Sequence, residues 1–222
     1  MAQTPPRVKI CGITDLHDAE LAVELGAWAI GMVFHEGSPR RCSTEQALGI
    51  TTALRRRVEL CGVFVDASLD ELARLTEELG LSMLQLHGDE GPAFCAEARR
   101  RTGARVIKAI QVTGAGNVRE LERYHVDFHL ADARASGPER QDLRGGTGET
   151  FDWSLLAERR SATPLILSGG LHPGNVAAAV EQVCPYAVDT ASGTERAPGH
   201  KDETKLRRFF AAVHATSAAV PA

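Results

Sequence analysis

Eight short, β-rich apolar runs punctuate this 222-residue chain, and a stretch of helical period follows each of them. That alternation is the signature of repeated βα units, in which parallel strands form a sheet that helices must cover. The runs predict strands at Val8–Cys11, Trp28–Phe34, Glu59–Val65, Met83–Leu86, Arg105–Ala109, Phe128–Asp132, Pro164–Ser168 and Ala187–Asp189. Between them the pattern predicts helices over Asp15–Leu25, with Gly26 as C-cap, over Thr44–Arg56, and over Ser68–Leu79, with Ser68 as N-cap and Glu71 three residues on. Further helices are expected at Pro92–Arg101, Val118–Tyr124, Trp153–Glu158, Asn175–Gln182 and Lys201–His214.

Eight such units in this length point to one α/β domain, a (β/α)8 TIM barrel spanning residues 1–222, with short frayed tails at about 1–6 and 216–222. Spacing by itself leaves a doubly wound open sheet as the alternative. With 43% hydrophobic and 24% charged residues, the chain can bury a sizeable core, and disorder is excluded. A formal charge of -4 offers no global positive field, so neither nucleic acid nor an anionic membrane is an expected partner. No apolar run approaches the roughly 20 residues of a membrane span, and MAQTPPRVKI lacks the apolar core of a signal peptide, so the expected location is cytoplasmic. The five cysteines show no metal-site spacing and read as free thiols. No metal or cofactor is expected.

In a barrel, chemistry sits at the C-terminal ends of the strands and in the loops that follow them. The glycine-containing loops after strands seven and eight, with Gly169-Gly170 and Ser192-Gly193, occupy the position where barrels bind phosphate through backbone N–H groups. A phosphorylated small molecule is therefore the leading ligand class. Cys11 ends strand one, and strand alternation puts Lys9 on the same face, where a cation would favour the thiolate. Asp132 closes the apolar strand FHLAD, a costly place for a carboxylate unless it faces a solvated or functional mouth.

Three further features border the same end. Pro39 partly presets the backbone before Arg40, whose guanidinium could be aimed at an acidic group. His87, in LQLHGDE after strand four, is a polar or acid–base candidate at the mouth. A long segment follows Asp132, and its Gly145–Gly148 stretch could hinge over a substrate. Cys61, Cys95 and Cys184 read as small buried hydrophobes, and Cys42 as a loop residue without a motif.

Taken in order, VKICGIT at Val8–Thr14, GSPR at Gly37–Arg40, LQLHGDE at Leu84–Glu90, GGTGETFDW at Gly145–Trp153, LSGGLHPGNV at Leu167–Val176 and AVDTASGTE at Ala187–Glu195 resemble the phosphoribosylanthranilate isomerase family of tryptophan biosynthesis. The resemblance runs over nearly the whole chain. It implies a (β/α)8 barrel without metal or cofactor that carries out an Amadori rearrangement, as a monomer or homodimer. It places the general base on Cys11, the general acid on Asp132 and the holder of the anthranilate carboxylate on Arg40. His87, Gly169, Gly170, Ser192 and Gly193 complete the expected substrate contacts. An acid that must keep its proton and a thiol that must lose one need opposite tuning.

Thr190, Ala191 and Thr194 stand where this family more often has Val, Ser and Val, and Arg41-Cys42 replaces an aromatic-aliphatic pair. The nearest enzyme rival is the ProFAR isomerase of histidine synthesis, in which an Asp would be expected at Cys11. From a different class, a barrel that binds a phosphorylated ligand without turning it over remains the alternative.

Overall fold

The computed structural model describes residues 4–133 and 150–216. Eight parallel strands close on themselves in sequential order, β1 (Arg7–Cys11), β2 (Ala29–Val33), β3 (Glu59–Phe64), β4 (Met83–Leu86), β5 (Arg105–Val112), β6 (Phe128–Ala133), β7 (Leu165–Leu167) and β8 (Ala187–Thr190). The closure is direct: Arg7, Val8, Lys9 and Ile10 of β1 pair with Ala187, Val188, Asp189 and Thr190 of β8. An open sheet is thereby excluded.

Strands buried on both faces need apolar residues at nearly every position, which is why runs such as Ala29–Val33 read as continuous. Alternation sorts them. One set, including Cys11, Val33, Cys61, Met83, Ile107, Leu130 and Ile166, fills the barrel interior. The other, including Ile10, Ile30, Val106 and Val188, packs outward under the helices. At the strand N-termini Trp28, Phe128 and Tyr186 meet with centroids 5.4–5.7 Å apart, and Arg7 and Arg105 lie over their rings. These rings pack across the N-terminal end of the barrel.

The helices are α1 (Leu16–Glu24), α2 (Thr44–Leu54), α3 (Leu69–Leu79), α4 (Pro92–Thr102), α5 (Ala115–Leu121), α6 (Val176–Val183) and α7 (Glu203–Ala215). Side-chain caps fix several starts: Ser68 accepts from Glu71 N, and Ser43 and Gln46 form a reciprocal capping box. The C-cap of α1 is Leu25 rather than the expected Gly26, which stands one residue beyond in the left-handed region.

Three further expectations need correction. Trp153–Glu158 is a 3-10 helix, capped by Asp152, rather than an α-helix. Lys201 does not begin the last helix: Glu195–Ala197 (β9) and His200–Lys201 (β10) form a small antiparallel hairpin, and Asp202 is the N-cap. The fifth helix begins at Ala115 rather than Val118. The Gly145–Gly148 stretch lies outside the described residues.

Candidate active site

Cys11 closes β1 with its side chain inside the barrel, and Lys9, two residues earlier, shares that face. The expected juxtaposition holds, because a Cβ on Gly31 of β2 would lie 2.9 Å from Cys11 Sγ and 3.1 Å from Lys9 Nζ. Glycine at that position leaves the space both groups use. Lys9 is fully buried, and its Nζ donates to Asp189 Oδ1 at 2.7 Å. Asp189 in turn accepts from Ser168 Oγ at 3.1 Å. Burial is the largest single influence and pulls the Lys9 ammonium down, but the charge and hydrogen bond of Asp189 together with the charges of Cys11 and Cys61 outweigh it and hold the group well above its ordinary value. For Cys11 burial dominates and pushes the thiol up, while the charges of Lys9 and Lys201 oppose it.

Asp132, also buried, stands at the end of β6 with His87 beside it: Nε2 to Oδ2 is 3.3 Å, off the line of a hydrogen bond. Gln85 Nε2 lies 3.3 Å from His87 Nδ1. The other Asp132 oxygen, Oδ1, accepts from Ala133 N at 2.9 Å. His87 therefore contacts the acid candidate and is itself buried.

Gly169 and Gly170 turn the chain after β7 through the left-handed region, with φ of +89° and +61°. After β8 the backbone at Gly193 runs so close to the β7 loop that a Cβ there would overlap the Leu171 carbonyl. Ser192–Thr194 forms a single 3-10 turn. Thr190 Oγ1 donates to Leu171 O at 2.7 Å and ties one loop to the other, while Asn175 Nδ2 donates to Gly170 O at 3.0 Å within the β7 loop. The loops that carry the four predicted phosphate-loop residues are thus packed together, and Thr190 contributes a bond that valine could not make.

Arg40 arrives from the β2–α2 loop and does aim at an acid, Glu195 at the start of β9. Its Nε lies 2.9 and 3.0 Å from the two carboxylate oxygens, and Nη2 lies 2.8 Å from Oε2. Lys201, fully buried, donates from Nζ to Glu195 Oε1 at 3.1 Å, to Cys11 O at 2.6 Å and to Ala191 O at 3.1 Å. Burial alone would raise the Glu195 carboxyl, but bonds and charge from Arg40 and Lys201 hold it below its ordinary value. Burial holds the Lys201 ammonium below its own.

Residues 8–212 match the family model of N-(5'-phosphoribosyl)anthranilate (PRA) isomerase. The enzyme of that name from Geobacter sp. strain M21 is 47% identical over 205 residues, 92% of this chain and 96% of its own. The chain belongs to the PRA isomerase family. The family's crystal structure from Thermotoga maritima aligns with a TM-score of 0.83 at 36% identity, covering 95% of this chain and 99% of that one. The structure from Thermus thermophilus aligns at 0.81 with 39% identity, covering 94% and 98%. A PRA isomerase holding reduced 1-(o-carboxyphenylamino)-1-deoxyribulose 5-phosphate aligns at 0.80 with 34% identity, covering 95% and 99%.

In this member of the PRA isomerase family, the sequence reading named neither Asp189, Glu195 nor Lys201 as site residues. A compositional signal was present: the chain has four lysines against 21 arginines, and Lys9, Lys108 and Lys201 are fully or almost fully buried, each paired with a buried carboxylate. Where arginine serves nearly every exposed cationic position, a lysine marks a site needing a compact ammonium. Of the other cysteines, Cys42, Cys61 and Cys95 are buried, but Cys184 is exposed, in a left-handed turn ending α6. Among the described residues no group of His, Cys, Asp or Glu could hold a metal ion, and no helix is long and apolar enough to cross a membrane.

Proposed function

We propose that this chain catalyses the Amadori rearrangement of N-(5-phosphoribosyl)anthranilate to 1-(2-carboxyphenylamino)-1-deoxyribulose 5-phosphate, the isomerase step of tryptophan biosynthesis. The observation that carries the reading is the placement of Cys11 and Asp132 at the ends of β1 and β6 of a family barrel, among the paired glycine loops and Arg40. The phosphate is held between Gly169-Gly170 and Ser192-Gly193, and Arg40 takes the anthranilate carboxylate. Two fixed anions leave the ribose little freedom to rotate, which lowers the entropic part of the barrier.

Asp132 protonates the furanose ring oxygen as the C1′–O bond breaks, and the anilino nitrogen's lone pair forms the C1′=N bond of a Schiff base. Cys11, as thiolate, then removes the C2′ proton, and the electron pair closes C1′=C2′ while nitrogen becomes neutral. The enolamine tautomerises, gaining a proton at C1′ and losing one from the C2′ hydroxyl, to give the ketone. Lys9 supports the base by favouring the thiolate electrostatically, and Asp189 fixes Lys9. His87 keeps the acid in place beside its Nε2.

Steady-state turnover of freshly generated N-(5-phosphoribosyl)anthranilate, followed by loss of its anthranilate-type fluorescence, tests the reading with Cys11→Ala and Asp132→Asn alongside. Wild-type turnover that falls by about 10²–10⁴ in each variant is the expected result for a lost general base or acid. Absence of wild-type turnover, with phosphate ligands still bound, would favour a non-catalytic binding barrel.

A further inference from the structure

Glu195 and Lys201 meet Arg40 and Cys11 without facing the proposed reaction themselves. The Glu195 carboxylate is 96% buried and spends both oxygens inside the protein: Oε1 accepts from Arg40 Nε at 2.9 Å, from Lys201 Nζ at 3.1 Å and from Gly199 N at 3.3 Å, while Oε2 accepts from Arg40 Nη2 at 2.8 Å. Lys201 carries that seat to the barrel, because the same ammonium donates to the carbonyls of Cys11 at the end of β1 and of Ala191 after β8. Arg40 is restrained from two further sides. Its backbone N–H donates to Ser38 Oγ at 3.1 Å, and its aliphatic stem lies over Gly12, where a Cβ would come within 2.8 Å of Cδ.

A guanidinium is a planar fork whose two edges can each take a carboxylate. Glu195 takes the Nε–Nη2 edge, so the fork's plane and direction are set before any substrate arrives. An arginine held in this way loses little rotamer freedom on binding. Resting on the isomerase reading above, we infer that Glu195, seated by Lys201, is the positioning residue that aims Arg40 at the anthranilate carboxylate and so sets the preference for a carboxylated aryl amine. Lys201 also fixes Arg40 relative to Cys11 and to the β8 loop, since one ammonium ties all three. The carboxylate end, the base and the phosphate end of the substrate thereby share one frame.

The test compares N-(5-phosphoribosyl)anthranilate with N-(5-phosphoribosyl)aniline, which lacks the carboxylate, on the wild type, Glu195→Gln, Arg40→Met and the double variant. For the carboxylated substrate, Glu195→Gln should lower kcat/KM about 10-fold, chiefly through KM. For the aniline substrate it should change kcat/KM by less than about 3-fold, and Glu195→Gln should add no further loss in the Arg40→Met background. Equal losses on both substrates, or additive losses in the double variant, would mean that Glu195 only holds the fold, and would overturn the inference. Glu195→Asp, which keeps the charge opposite Lys201 but retracts it from Arg40, reads the same ratio if the glutamine variant does not fold. A wild type inactive on both substrates would overturn the isomerase reading and this inference with it; an active wild type with equal losses overturns the inference alone.

Discussion

Lys9 Nζ lies 2.7 Å from Asp189 Oδ1 inside the barrel, paired across the β1–β8 seam that closes the sheet. The contact joins architecture to chemistry. Closure brings β8 beside β1, the ion pair compensates the cost of burying an ammonium, and the ammonium so held faces the Cys11 thiol.

Lys9→Met should move the limb of the pH–rate profile that reports Cys11 to higher pH. Burial already holds that thiol above its ordinary value, and the charge of Lys9 is the main influence opposing burial, so its loss makes the thiolate scarcer at any given pH. kcat/KM at neutral pH should fall while the alkaline plateau falls less. An unmoved profile would make Lys9 structural only. The variant also leaves Asp189 buried without its partner, at about 3–5 kcal/mol, and Asp189→Asn in the same chain should recover much of that stability without restoring the profile.

Stability should decline from about pH 9 upward under reducing conditions. Burial pushes the Cys42 and Cys95 thiols up to about 11 and Cys61 up to about 12, from an ordinary 9.0. The folded pKa values are raised, so above pH 9 the unfolded chain releases protons that the native chain keeps, and the native state loses ground as pH rises toward 11 or 12. Each thiol contributes about 1 kcal/mol of loss between pH 9 and 10, or about 3 kcal/mol together. Lys9, also raised, acts in the same direction above its ordinary 10.5. Urea unfolding at pH 7.5, 9 and 10 measures the slope, which should flatten in a triple variant with Cys42, Cys61 and Cys95 all changed to Ala. An unchanged slope would remove the thiols as its cause.

The strands were legible because a parallel strand covered on both faces must be apolar along its length, and the two-residue alternation then placed Lys9 beside Cys11 without any other information. Asp189 stood at the end of the predicted eighth strand, and the same alternation would have pointed it inward opposite Lys9. The hairpin of β9 and β10 was illegible for a physical reason. Strands of three and two residues carry no period, and what buries Lys201 is its set of bonds to Cys11, Ala191 and Glu195, a long-range fact that no local spacing records. Arg40 was expected to meet an acidic group of a ligand; the acid it meets within the chain, Glu195, lies 155 residues away in sequence, beyond the reach of local spacing.

Gly193→Ala should damage phosphate binding more than chemistry. A methyl group there meets the Leu171 backbone rather than a movable side chain, so the β7 and β8 loops must separate. KM for N-(5-phosphoribosyl)anthranilate and the inhibition constant of inorganic phosphate should both rise about 10-fold or more, with kcat less affected because Cys11 and Asp132 stand on β1 and β6. Unchanged phosphate inhibition would argue that the anion sits elsewhere.

Thr190→Val tests the same loops by a gentler route. The Thr190 hydroxyl, buried at the end of β8, donates to Leu171 O at 2.7 Å and so joins the β8 strand end to the β7 loop, beside the Ser168–Asp189 bond. Valine fills nearly the same volume but cannot donate, so the carbonyl loses this partner, at a net cost of about 1 kcal/mol. The backbone contact of Gly193 with the Leu171 carbonyl remains, so the functional effect is bounded: KM should rise by less than about 10-fold and kcat should stay within about 2-fold. Urea unfolding and steady-state kinetics on the single variant read both quantities. A fall in kcat with KM unmoved would place Thr190 in the chemistry rather than in the seating of the phosphate loops.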